Sequence, residues 1–212
     1  CGARRRPGPR SQSERTEAFF TLRPGPADAG SAGPARPARL PARFQRQPLE
    51  PRRHFAFGGV QLLAGSQIGD YHLNVRHLTE NSESHQRVRG ALDDAALGIF
   101  DGMIYVAHGA QKTDARQDSR YILLSDSARS HSVPRLEIYA DDVQCAHGST
   151  TGKVDEEALF YLRSRGIGYE AARKMLILSF LHEAVVVEHQ TLADAVHQTI
   201  SDIWLGDDEA AA

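Results

Sequence analysis

From Phe55 to about Thr151 the apolar residues come in short groups, too closely spaced for helices: VQLL at 60–63, HLNVRHL at 72–78, GIF and MIYV within 98–106, YILL at 121–124 and LEIY at 136–139. Gly, Asp, Asn or Ser bounds each group, as expected for strands of a few residues joined at tight polar corners. Only 91–97 offers a weak helical alternative. Two-residue hairpin signals such as Asn-Gly are missing. Many short strands without hairpins suit a parallel β-helix, in which coils stack and every strand pairs in parallel. An antiparallel sandwich is the competing architecture.

At residue 153 the period changes. Asp155 is the expected N-cap of a helix carrying Leu159, Phe160 and Leu162, with Glu156 and Glu157 in its first turn, Arg163 and Arg165 near its end, and Gly166 as its stop. A second helix runs from about Tyr169 to Val187. Thr191 and Asp194 resemble a capping box opening a third, with Leu192, Val196, Ile200, Ile203 and Trp204 along one side. Three short helices cannot bury this apolar surface among themselves, so they must dock on the strands, on a partner, or on both. The expected organisation is a β-helix core over 54–152, a helical domain over 153–206 and a tail over 207–212.

Charge separates off the first quarter. The net charge of −2 combines +8 over residues 1–53, from twelve Arg and four acidic residues, with −10 over the rest; nine of the ten prolines also precede residue 54. A segment so rich in Pro, Arg, Gly and Ala buries too little to offset its ordering entropy and reads as a disordered arm. It is either a solvated linker or a stretch foreign to the natural protein. Arg scattered among prolines with almost no aromatic interleaving does not read as a nucleic-acid arm. No apolar run approaches the length of a membrane span, and no apolar core follows the basic start as in a signal peptide. Cys1 and Cys145 lie too far apart in sequence to indicate a disulfide framework, which fits a reducing cytoplasm.

Reactive side chains collect at Val143–Gly148. If Val143, Cys145 and His147 alternate with Gln144 and Ala146, a thiol and an imidazole share one face of an extended strand. A structural Cys packed beside the valine is one reading; a thiolate beside an imidazole, suited to iron or zinc, is the other. Two such groups do not complete a site. His72, His77 and His85 fit no compact metal motif and are expected at the surface or in turns. Lys112, Thr113 and Asp114 read as a solvated turn. Asp141 and Asp142, if used as paired acids, require a bend between them. A polysaccharide-active enzyme using Lys112, Asp141 or Asp142, and a stand-alone metal module using His72, His77, Cys145 and His147, are the alternative functional readings.

The run LLSDSARSHSVPRLEIYADDVQCAHGSTTGKVDEEALFYLRSRGI, with GIFDGMIYVAHGAQKTDARQ before it, resembles the SufB/SufD family of SUF iron–sulfur cluster assembly scaffolds, and AQKTDA and LEIYADDVQCAHG place the likeness on its SufD side. That resemblance, over roughly 70–205, implies a right-handed parallel β-helix with flanking helices and a non-catalytic scaffold. Its implied partners are a SufB-like paralogue, met through the β-helix, and a SufC-like ABC-type ATPase, met through the C-terminal helices. A homodimer through the β-helix is implied when the paralogue is absent. It further implies that His147, with Cys145 beside it, contributes to a transient iron–sulfur cluster shared with the partner subunit, that no cofactor is tightly held by the isolated chain, and that Leu159, Phe160, Tyr161 and Arg165 contact the ATPase. The chain carries no GxxxxGKS phosphate loop, so ATP hydrolysis is expected in the partner. Complete family members should carry a helical region and further coils before His72, which residues 1–53 do not resemble. An uncapped first coil, frayed over 54–70, is therefore the expectation.

Overall fold

The computed structural model describes residues 15–22, 39–45, 54–185 and 190–205. The strands are β1 (Arg15–Leu22), β2 (Arg39–Gln45), β3 (His54–Leu63), β4 (Ile68–His77), β5 (Glu83–Leu92), β6 (Leu97–Val106), β7 (Asp114–Leu123), β8 (Arg129–Ile138) and β9 (Gln144–Gly152). Three helices follow: α1 (Glu156–Ser164), α2 (Tyr169–His182) and α3 (Gln190–Leu205). The odd strands form one sheet in the order β1-β3-β5-β7-β9 and the even strands a second, β2-β4-β6-β8. Every pairing is parallel, so the chain winds as a β-solenoid that adds one strand to each sheet per coil. The antiparallel alternative is thereby excluded.

Alternation along each strand sends one set of side chains into the solenoid. Phe55, Phe57 and Leu63 of β3 meet Tyr71, Leu73 and Val75 of β4, Val88 and Leu92 of β5, Phe100 of β6 and Tyr121 of β7 in one buried cluster. Polar groups also point inward and find partners there. Gln61 donates to the carbonyl of Ile99 in the opposite sheet (3.2 Å), and Tyr71 donates to the carbonyl of Val60 (3.0 Å). Gly90 lies opposite Tyr121 in the pairing of β5 with β7, where a Cβ would overlap the ring, so only glycine leaves that aromatic its space. The stretch 91–97, weakly helical in pattern, is instead the end of β5 and a corner at 93–96, with Asp94 at φ 51°.

The outer face of the odd-strand sheet carries the helices. Val60, Leu62 and Ala91 pack against Ile177, Leu181 and Ala184 of the α2 region and Val196 and Ile200 of α3, where each fully buried aliphatic contributes about 1.5–3 kcal/mol. Arg89, buried on that face, donates to Asp118 (2.7 Å) and to Glu183 (3.0 Å) just beyond α2, while Arg87 donates to the Glu183 carbonyl (2.9 Å). Asp155 caps α1 as expected, accepting from the amides of Glu157 and Ala158. The capping box at Thr191 does not form, because α3 already includes Gln190, whose amide donates to Asp194.

Within the arm expected to be disordered, Arg15–Leu22 and Arg39–Gln45 are strands that pair with β3 and β4; the rest of 1–53, Gly206 of the expected helical domain and the tail at 207–212 lie outside the described residues. A strand edge recruits main chain rather than side chains, so composition is a poor guide to what will add to it. Residues 54–70, expected to fray, form a regular coil with Phe55–Leu63 buried, since β1 and β2 occupy the edge that was expected to be open.

Candidate functional site

The last coil ends in β9, whose register against β7 sets Cys145 over Ala115 and His147 over Gln117. Ala115 and Gln117 point into the solenoid, so Cys145 and His147 continue the same inward column onto its open end. Cys145 is half-buried against the apolar group of Ile104, Val106, Ala110 and Ala115, whereas His147 is exposed. Burial pushes the Cys145 thiol up, partly offset by a hydrogen bond with the Ala115 backbone. Cys145 thus packs like a small apolar residue, beside an imidazole that faces out.

Beneath His147 the column is polar. Gln117 is buried and donates through Nε2 to Gln86 Oε1 (2.7 Å), and Ser119 Oγ lies 2.7 Å from Ser132 Oγ. Across the end, Ser130 Oγ and Thr151 Oγ1 lie 2.7 Å apart and join the two sheets. Among the described residues β8 and β9 have no further strand beside them. Half-exposed Leu136 and exposed Ile138 stand near the same rim. Gln86, Gln117, Ser119 and Ser132 escape sequence reasoning, because ESHQR, DARQDSR and RSHS carry no apolar alternation to mark their inward positions.

The remaining candidates separate. His77 is not at the surface: it is fully buried, with Ser82 Oγ 2.7 Å from Nδ1 and Ser84 Oγ 2.9 Å from Nε2, and burial lowers its pKa to about 4. It is enclosed because its position in β4 falls on the inward side. His72 projects outward from the even-strand sheet between Asp70 (2.8 Å) and Asp101 (3.3 Å). His85 lies on the outer face of the odd-strand sheet. A shared site of His72, His77, Cys145 and His147 is therefore not assembled. Lys112 pairs with Asp142 at an exposed corner, where it takes φ 60°, so the turn reading holds for Lys112 alone: Thr113 is buried, donating to the Ala110 carbonyl (2.8 Å), and Asp114 opens β7 and accepts two hydrogen bonds from Arg116.

On α1, Phe160 (73% exposed) and Tyr161 (56%) present rings to solvent, and the Arg165 guanidinium lies 5.0 Å from the Tyr161 ring. Leu159 departs from expectation. At 3% exposed it holds α1 in place and offers no contact surface, because its helical position faces the packed side.

Residues 45–180 match the family model described as "SUF system FeS cluster assembly, SufBD core domain". The chain is 38% identical over 118 residues to the iron-sulfur cluster assembly protein SufD of Escherichia coli, covering 56% of this chain and 28% of that protein. Identity is 37% over 139 residues with SufD of Bacillus subtilis, covering 66% and 31%. With protein ABCI7, chloroplastic, of Arabidopsis thaliana it is 44% over 87 residues, covering 41% and 18%. The chain thus spans less than a third of the length of these relatives.

Proposed function

Because this chain belongs to the SufBD core family of the SUF system and is of the SufD type, we propose that it pairs through the open end of its solenoid with a SufB-like subunit and there helps hold a nascent iron–sulfur cluster as cargo. One observation carries the reading. The inward column of the last coil emerges at an end where, among the described residues, no further strand pairs with β8 or β9, and it presents His147 to solvent beside a half-sheltered Cys145. Backbone groups on β8 and β9 can add a partner's strands, while side chains of alternate residues meet those of the partner. His147 supplies a nitrogen ligand, Cys145 lines the site, and the partner completes the coordination. The exposed rings of Phe160 and Tyr161, with Arg165, form the surface for a SufC-like ATPase, which supplies ATP hydrolysis that this scaffold-type subunit leaves to its partner. No described helix is long and apolar enough to cross a membrane, and a cytoplasmic location suits the thiol.

Reconstitution of the three-protein complex with His147→Ala tests this. The expected outcome is an assembled complex whose cluster yield, read from visible absorption and bound iron, falls several-fold. An unchanged yield removes His147 from the site.

A further inference from the structure

The outer face of the odd-strand sheet holds a second group of ligand-type side chains, on the opposite side of the sheet from the inward column that ends in Cys145 and His147. His54 and Glu83 are facing positions on β3 and β5, which places them about 4.8 Å apart at the backbone. His85, two residues beyond Glu83, returns to the same face, and Asp114 faces Glu83 from β7. Two successive coils thus contribute to one spot, with Asp114 of the next coil beside it. Glu83 Oε1 lies 3.7 Å from His54 Nε2 and 3.3 Å from His85 Nε2, and the three ligand atoms all fall within 4.8 Å of one another. His85 Nε2 is sealed from solvent and makes no hydrogen bond among the described residues.

The two separations from Glu83 are close to those around a common centre. Zinc or iron about 2.0–2.2 Å from nitrogen and oxygen donors in a tetrahedral arrangement sets the donors roughly 3.3–3.6 Å apart. We propose that His54, Glu83 and His85 bind a divalent transition ion of borderline softness, Zn²⁺ or Fe²⁺. Two imidazoles and one carboxylate match such ions rather than Ca²⁺ or Mg²⁺, which prefer oxygen donors. Asp114, 4.0 Å from His85 Nε2, is engaged twice by Arg116 (3.0 and 3.1 Å) and stands behind the site rather than in it. Arg116 neutralises Asp114, so Glu83 supplies the charge among the three donors. This centre is independent of Cys145 and His147, which sit at the end of the solenoid.

The test titrates the full chain anaerobically with Co²⁺, Zn²⁺ and Fe²⁺, both as wild type and with Cys145→Ser and His147→Ala together. One equivalent is expected in both, with cobalt visible bands free of thiolate charge transfer and a metal-dependent rise in the thermal midpoint. Combining His54→Gln with His85→Gln should leave the far-ultraviolet spectrum unchanged, weaken binding by roughly a hundredfold or more and abolish the rise, since even outer partners of metal ligands contribute about 10–100-fold. Glu83→Gln should weaken binding with the shape retained. Binding that survives the two histidine changes, or that disappears with Cys145 and His147, overturns the proposal.

Discussion

Protonating His77 means charging a ring with no exposed surface, held between two serine hydroxyls. Its pKa of about 4 lies below the ordinary 6.5, so the unfolded chain takes up the proton first as pH falls. Stability from this residue is complete above about pH 6.5, declines between 6.5 and 4, and is lost below; the full span is roughly 3 kcal/mol. Urea midpoints measured from pH 7 to 4 should fall in the wild type and flatten in His77→Gln. The sequence marks His77 as a ligand-type residue but gives no sign of its enclosure, because a lone histidine among apolar neighbours reads the same on either face. Cys145 and His147 were legible as a pair, since alternation alone sets them on one side. Their place at the mouth of a polar column was not, because Gln117 and Ser119 lie in a run that looks solvated throughout.

Strand β5 shows why elements are harder to read than their neighbours. ESHQRVRGAL fills its inward positions with Ser84, Gln86, Val88 and Gly90, and most of its outward ones with polar or charged residues, of which Arg89 is buried beside Phe180 of α2 while Arg87 stays exposed. Hydrophobic alternation is nearly absent there, whereas β6 and the apolar core of β4 announce themselves. The glycine has a measurable role: Gly90→Ala should cost about 1–3 kcal/mol by forcing the Tyr121 ring aside, seen as a lowered thermal midpoint. Arg89 joins two kinds of element. Replacing it with Ala leaves Asp118 and Glu183 without their shared cation, and since both are partly solvated the expected loss is about 1–3 kcal/mol. Amide exchange should accelerate in α2 before it does in the strands. The helices themselves were legible because their 3.6-residue period needs no partner to be seen; their docking on the odd-strand sheet required knowing that Val60 and Leu62 both point outward and lie buried.

The stacked architecture was readable from the missing hairpins, but the number and spacing of its coils were not. Strands β3 to β8 are each ten residues long, yet facing positions are 29 residues apart between β3 and β5, 31 between β5 and β7, and 30 between β7 and β9. The extra length sits in corners such as 107–113. One glycine inserted after Gly109, which is exposed with no atom near its would-be Cβ, should cost roughly 1 kcal/mol or less, whereas one inserted after Val88 reverses the inward and outward sets of β5 and should prevent folding. Circular dichroism and thermal melts of the two insertions distinguish the cases. Corners of adjustable length have a consequence for how such a molecule can diversify. Loops at the vertices can be lengthened, decorated or recruited to new tasks, while the donor atoms carried by neighbouring strands stay in alignment like characters in a fixed-width column of type.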